Sequence, residues 1–233
     1  MRDGGRLDAA IQVLDDVMSR RQPVKSAVRD WGKRARYAGA KDRAWVSGLV
    51  LDALRRKNSL AYAMGDDGPR ALALGALAHV WRWDIGRLDA AFDEEHAPSA
   101  LTPDERERLV MAPDPTAPPH VQGDYPDWMT PMMTRAFGEE AVIEAQAMAV
   151  RAPVDLRVNT LKADAEKASK PLKSIKAEPI ETLVDGFRVQ APDPAKRAGS
   201  VESIPAYSKG WVEVQDAGSQ FAAAAAIAQP GEQ

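Results

Sequence analysis

The 233-residue chain contains no cysteine, which excludes disulfides, thiolate metal centres and cysteine nucleophiles together. It also lacks any apolar run approaching the roughly 20 residues that cross a bilayer. The start, Met1-Arg2-Asp3-Gly4-Gly5, has none of the apolar stretch of a secretory leader. A cytoplasmic protein that does not enter a membrane is the expectation. His79, His96 and His120 show no ligand spacing to one another, so no metal site is expected. Nor is there an overall excess of positive charge: the net charge is −3. That total conceals an uneven distribution. From Arg20 to Lys57 there are twelve Lys or Arg against three Asp, whereas Asp89 to Glu107 is strongly acidic. One face can therefore be basic while the sum stays acidic.

With 45% hydrophobic and 28% charged residues, the composition is that of a globular protein, and the length suits two modest domains. Leu7, Ala10, Ile11, Leu14, Val17 and Met18 recur at spacings of three and four, one apolar stripe on a first helix. Pro23 can open a second helix with Val24, Val28 and Trp31 inward, Lys25, Arg29, Lys33 and Arg36 outward, and Gly39 as its stop. A third is expected from Asp42, as N-cap, to Lys57. Arg70 to Trp83 reads as a nearly all-apolar helix for the centre of a bundle, with a shorter one from Ile85 to Glu94. Thr102-Pro103-Asp104-Glu105 is a capping box that starts a helix reaching about Met111. The expectation for residues 1–111 is a helical bundle. Residues 112–126 hold five prolines in fifteen positions and are expected to be a linker.

Beyond the linker, short helices are expected from Asp127 and from Gly138 to Val150. The period then changes from 3.6 to 2: Asp155 to Leu161 alternates as a strand does. Ala163 to Ile175 reads as a helix that Pro171 must kink or end. Asp185-Gly186 signals a hairpin between Pro179–Val184 and Phe187–Gln190. Gly210 precedes a strand from Trp211 to Gln215, and a helix follows from Asp216 to Ala228. Strand, helix and hairpin make a small α/β layer of the kind that RNA-recognition modules use.

Three stretches carry a family resemblance in order and spacing: Ala152-Pro153-Val154-Asp155-Leu156-Arg157-Val158-Asn159-Thr160-Leu161-Lys162, then Tyr207-Ser208-Lys209-Gly210-Trp211, then Val212-Glu213-Val214-Gln215-Asp216-Ala217-Gly218-Ser219-Gln220. The chain resembles the front part of RsmB/Sun-type RNA (cytosine-5) methyltransferases. The resemblance implies a NusB-like helical domain over 1–111, echoed by Asp42-Arg43-Ala44. It further implies an α/β RNA-binding subdomain over 127–210, and over 211–233 the first strand and helix of a Rossmann-like methyltransferase domain. The family continues with a Gly-rich turn for S-adenosylmethionine and two cysteines, neither present in these 233 residues. The implied activity is S-adenosylmethionine-dependent methylation of cytosine carbon 5 in RNA, most naturally small-subunit ribosomal RNA. These residues would position the substrate and be inactive alone. A non-catalytic NusB-like adaptor for RNA or protein is the competing expectation.

Candidate RNA contacts are Arg29, Lys33 and Arg36 on the second helix, Arg157 and Asn159 on one side of the strand, and Lys162 and Lys209 beside it. For each there is a plainer role: a solvated face for the lysines and the helix, a structural tie for Arg157 and Asn159. Gln215, Asp216 and Ser219, at a strand-to-helix junction, are placed by the resemblance beside the cofactor pocket; alternatively Asp216 only caps the last helix. Trp31, Trp45, Trp81 and Trp83 lie on apolar stripes and are expected in the core. Without sheet neighbours, Trp211, Val212, Val214 and Phe221 are expected to be exposed and to invite self-association.

Overall fold

A computed structural model describes residues 1–191, 201–227 and 231. They divide into two units, the first running from Met1 to Val150 and the second beginning at Arg151.

In the first unit, α1 (Asp3–Ser19), α2 (Val24–Arg34), α3 (Ala40–Arg55), α4 (Lys57–Met64) and α5 (Pro69–Gly75) are followed by α6 (Ile85–Phe92) and α7 (Pro103–Val110). Leu7 and Leu14 of α1, Val46, Leu49 and Val50 of α3, and Leu72 and Leu74 of α5 are fully buried together. The apolar stripes thus assemble as their spacing requires, and α5, buried from Ala71 to Gly75, sits at the centre. Past Gly75 the helix widens into a π-turn, Ala76–Val80. Trp45 meets Trp81 edge-on with centroids 5.0 Å apart, and Trp31, Trp45 and Trp83 are buried. The capping box forms as expected, Thr102 Oγ1 accepting from Glu105 N and Glu105 accepting from Thr102 N.

Three local expectations are corrected. The second helix stops at Arg34, and Gly39 caps the helix after it. Asp42 is the third residue of α3, its carboxylate accepting from Gly39 N at 2.9 Å and from Arg6. The proline-rich segment 112–126 is folded against α4. It includes α8 (Pro119–Gln122), Asn58 Nδ2 donates to Tyr125 O, and Ser59 donates through N and Oγ to Asp124. Proline removes donors and blocks helix, but it leaves carbonyls free to accept from a neighbouring helix. Two more helices, α9 (Thr130–Phe137) and α10 (Ala141–Met148), complete the unit.

The second unit runs β1 (Val154–Val158), α11 (Ala165–Leu172), β2 (Ala177–Pro179), β3 (Gly186–Val189), α12 (Pro205–Ser208), β4 (Val212–Val214), α13 (Ala217–Ala225). The strand order is β2-β3-β1-β4 with every neighbouring pair antiparallel. This βαββαβ order is the ferredoxin-like arrangement. Leu156, Val158, Phe187, Val189 and Val212 share a core with Ala168, Leu172, Ile204 and Ala206. The alternate positions Asp155, Arg157, Arg188 and Glu213 belong to the opposite face, as the period of two demands.

Two expectations change here. The hairpin between β2 and β3 does not turn on Asp185-Gly186 alone: residues 180–185 form the loop and Gly186 is already paired. The strand expected to open a separate methyltransferase domain is β4, the fourth strand of this sheet. It pairs antiparallel with β1 in the register Leu156↔Val214, Arg157↔Glu213, Val158↔Val212. Val212 is consequently buried and Trp211 half-buried, while Val214 and Phe221 remain exposed. A Rossmann sheet is built of parallel neighbours, and no parallel pair occurs among the described residues.

Candidate nucleic-acid interface

The second unit gathers two lysines at one indole and a third beside the neighbouring glycine. Asn159 N donates to Trp211 O at 2.9 Å, tying the end of β1 to the start of β4. Asn159 Oδ1 then accepts from Leu161 N, bending the chain so that Lys162 returns towards Gly210. Gly210 adopts φ +66, and a Cβ there would lie 2.8 Å from Lys162 Nζ. Lys209 Nζ lies 4.7 Å from the Trp211 ring centroid and Lys167 Nζ 4.4 Å, within cation–π range. Lys167 Nζ also reaches Lys162 O at 3.4 Å. None of the three ammonium groups has a carboxylate partner among the described residues. Like charges brought together without counter-ions raise the local potential and attract an anion. Lys162 and Lys209 thus come together as singled out in the sequence, and Lys167 joins them. The signal for Lys167 was present: Asp164 caps α11 by accepting from Lys167 N, and a lysine in a first helical turn works against the helix dipole.

Asn159 acts at this corner through its turn, so its structural role is the one observed. Arg157 is exposed on the polar face of the sheet and its Nη1 donates to Gln215 Oε1 at 3.4 Å. Beside it lies the most tightly held polar group of the unit. Asp155, 5% exposed, accepts from Arg188 Nε at 2.6 Å, Arg188 Nη2 at 2.8 Å and Ala217 N at 2.9 Å. The Arg188 hydrogen bonds, against burial and aided by the Ala217 N–H, hold the Asp155 carboxyl below the usual carboxylate range. This ties α13 to the sheet.

Gln215, Asp216 and Ser219 are spent locally. Asp216 Oδ1 accepts from Ser219 N at 3.2 Å, and Gln215 O accepts from Gln220 Nε2 at 2.8 Å. Asp216 is therefore the cap of α13, while Gln215 contributes its backbone carbonyl and Ser219 its backbone N–H.

In the first unit, α2 presents Lys25, Arg29 and Lys33 at a spacing of four. With Arg36 and Arg43 they rim an open hollow of about 600 Å³ floored by Gly32. Asp30 is shared by Arg29 and Lys33 at 3.4 Å each. Arg20 and Arg34 are drawn away to Asp16. Arg29, Lys33 and Arg36 are thus gathered, and Arg43, from the Asp42-Arg43-Ala44 stretch of α3, completes the set.

Residues 125–196 match the family model described as the RsmF/B-like methyltransferase, ferredoxin-like domain. This match, with the relatives that follow, supports an RsmB/Sun-type N-terminal region. It is 26% identical over 177 residues to a probable ribosomal RNA small subunit methyltransferase B of Synechocystis, a match covering 75% of this chain and 36% of that protein. To ribosomal RNA small subunit methyltransferase B of Vibrio vulnificus it is 29% identical over 119 residues, 49% of this chain and 26% of that one. The chain therefore spans only about a third or less of the RsmB proteins it matches. The crystal structure of PH0851 shares the fold at TM-score 0.56 and 16% identity, over 100% of this chain and 57% of that one.

Proposed function

We propose that this chain holds and orients RNA for an S-adenosylmethionine-dependent methyltransferase that modifies carbon 5 of cytosine in small-subunit ribosomal RNA, in the cytoplasm. The observation that carries the reading is the lysine corner at Trp211. Three ammonium groups held at one sheet corner, none with a carboxylate partner among the described residues, suit a phosphate backbone, which fixes register and orientation without reading sequence. The helical unit is read as NusB-like from its position, its helical character and Asp42-Arg43-Ala44, and its basic hollow is a second place where phosphate can be neutralised. When bound, S-adenosylmethionine would supply the methyl group. Gln215, Asp216 and Ser219, at the junction of β4 and α13, are assigned a supporting place beside it on the strength of the family resemblance. What these residues contribute is position, which can account for much of a rate enhancement. A non-catalytic adaptor is not favoured, because both relatives are named as methyltransferases.

The test is a salt titration of binding to a small-subunit ribosomal RNA fragment. Replacing Lys162, Lys167 and Lys209 together by alanine is expected to reduce the slope of log K against log salt by about 2, each lost phosphate contact counting for roughly 0.7–0.9. An unchanged slope in a folded variant would overturn the assignment of the corner to RNA.

A further inference from the structure

The helical unit contains a second, larger cavity of about 640 Å³. It lies between α4, the π-turn, α7 and the proline-rich segment, and its size suits a small organic ligand. Leu60, Val80, Met111 and Pro113 supply apolar wall, and Arg56, Arg82 and Arg108 supply positive charge. The two carboxylates of the lining are already engaged. Asp114 accepts from Thr116 N at 2.8 Å and from the Tyr62 hydroxyl at 3.2 Å, and Asp124 accepts twice from Ser59. Arg108 is held by Asp104 outside the cavity, whereas Arg82 has no ion-pair partner among the described residues.

Two features of the wall are costly for folding. The π-turn Ala76–Val80 interrupts a buried helix, a device found mostly at functional sites. Arg82, two residues on, adopts φ +58, a left-handed conformation costing about 1–2 kcal/mol for a residue with a side chain. Within the π-turn, His79 has a buried Nε2 with no hydrogen-bond partner among the described residues, an arrangement that native proteins seldom keep without a use. Burial, and then the neighbouring Arg82, lower the affinity of this imidazole for a proton. It is neutral at physiological pH, able to donate from one nitrogen and accept at the other.

We propose that this cavity binds a single nucleotide, its phosphate held by Arg82 with Arg56 and its base against the apolar wall within reach of His79. A mononucleotide combines the three things the lining offers: one anionic group, a flat apolar body and an edge of donors and acceptors. The pocket is argued from its own lining; only its occupation by an unstacked nucleotide of RNA rests on the function proposed above.

The experiment follows the His79 ring protons by NMR in the full chain, assigned through His79→Gln. The probes are cytidine 5′-monophosphate, inorganic phosphate and a single-stranded RNA pentamer. The deciding variant is Arg82→Gly, which removes the guanidinium while relieving the positive φ, so its thermal midpoint should equal or exceed that of the parent. Saturable shifts of His79 with the nucleotide, weakened at least about fivefold in Arg82→Gly, would support the proposal. Shifts with the pentamer alone, lost in the same variant, would also support it and identify the source as RNA. No shift with any probe, equal binding by Arg82→Gly, or equal binding of inorganic phosphate and nucleotide would overturn it. The lysine corner is untouched by Arg82→Gly, so RNA binding with an unchanged salt slope would leave the proposed function standing while the pocket falls.

Discussion

Removing the carboxylate of Asp155 should unfasten α13 from the sheet. In Asp155→Ala the Ala217 N–H, buried in its bond to Asp155 Oδ2, is left without a partner, and an unsatisfied buried donor costs about 1–3 kcal/mol. Arg188 also loses a two-pronged partner, but its side chain is 37% exposed and can turn to water, so that loss adds only about 1 kcal/mol. The sum is about 2–4 kcal/mol, borne by the second unit alone. Urea unfolding followed by amide hydrogen exchange resolves the units: protection in β1, β4 and α13 should fall while that in α1, α3 and α5 stays constant. A loss below about 0.5 kcal/mol, the size of an ordinary surface substitution, would refute the reasoning. The pH dependence supplies a second check. The folded carboxyl titrates below the unfolded value of about 3.9, so its stabilisation is fully present above that value and is lost as pH falls through the folded one. In Asp155→Asn this contribution to the acid-side decline of the second unit should disappear.

Two further predictions concern the first unit. Thr102→Ala removes the side-chain half of the capping box and should cost about 1 kcal/mol, read as a lower urea midpoint with unchanged slope. Burial, against the hydrogen bonds from Ser59, pushes the Asp124 carboxyl above its ordinary value. Its raised folded value means that it destabilises the fold as pH rises through that value, the reverse of Asp155. Asp124→Asn should therefore be tolerated within about 1 kcal/mol at neutral pH, and a loss beyond about 3 kcal/mol would show that the charge itself holds the proline-rich segment.

What was legible in the sequence was what a few consecutive residues decide. The stripe beginning at Leu7, the box at Thr102 and the change of period at Asp155 each appear where their spacing places them. Gly39 and Asp42 were misassigned because one glycine can end a helix or begin the next, and the choice depended on whether Asp42 could reach back to Gly39 N. The linker was misread for a related reason. Proline density predicts what a segment cannot form by itself, while Asn58 and Ser59, more than fifty residues earlier, determine that it folds back.

The lysine corner shows the same limit from the side of function. Lys162 and Lys209 could be singled out separately, but nothing between them in the chain brings them to the one corner at Gly210 and Trp211. That is done by the pairing of β4 with β1, closed by Asn159 N and Trp211 O. A slip of one residue would invert every side chain of β4, moving Val212 out of the core and Trp211 off the lysines. Because the register that buries Val212 also assembles the cations, selection for a stable sheet and selection for a phosphate site act here on the same hydrogen bonds. A substitution that spares all three lysines but breaks this register, such as Val212→Asp, should therefore abolish the salt-dependent RNA binding of the corner as completely as their removal.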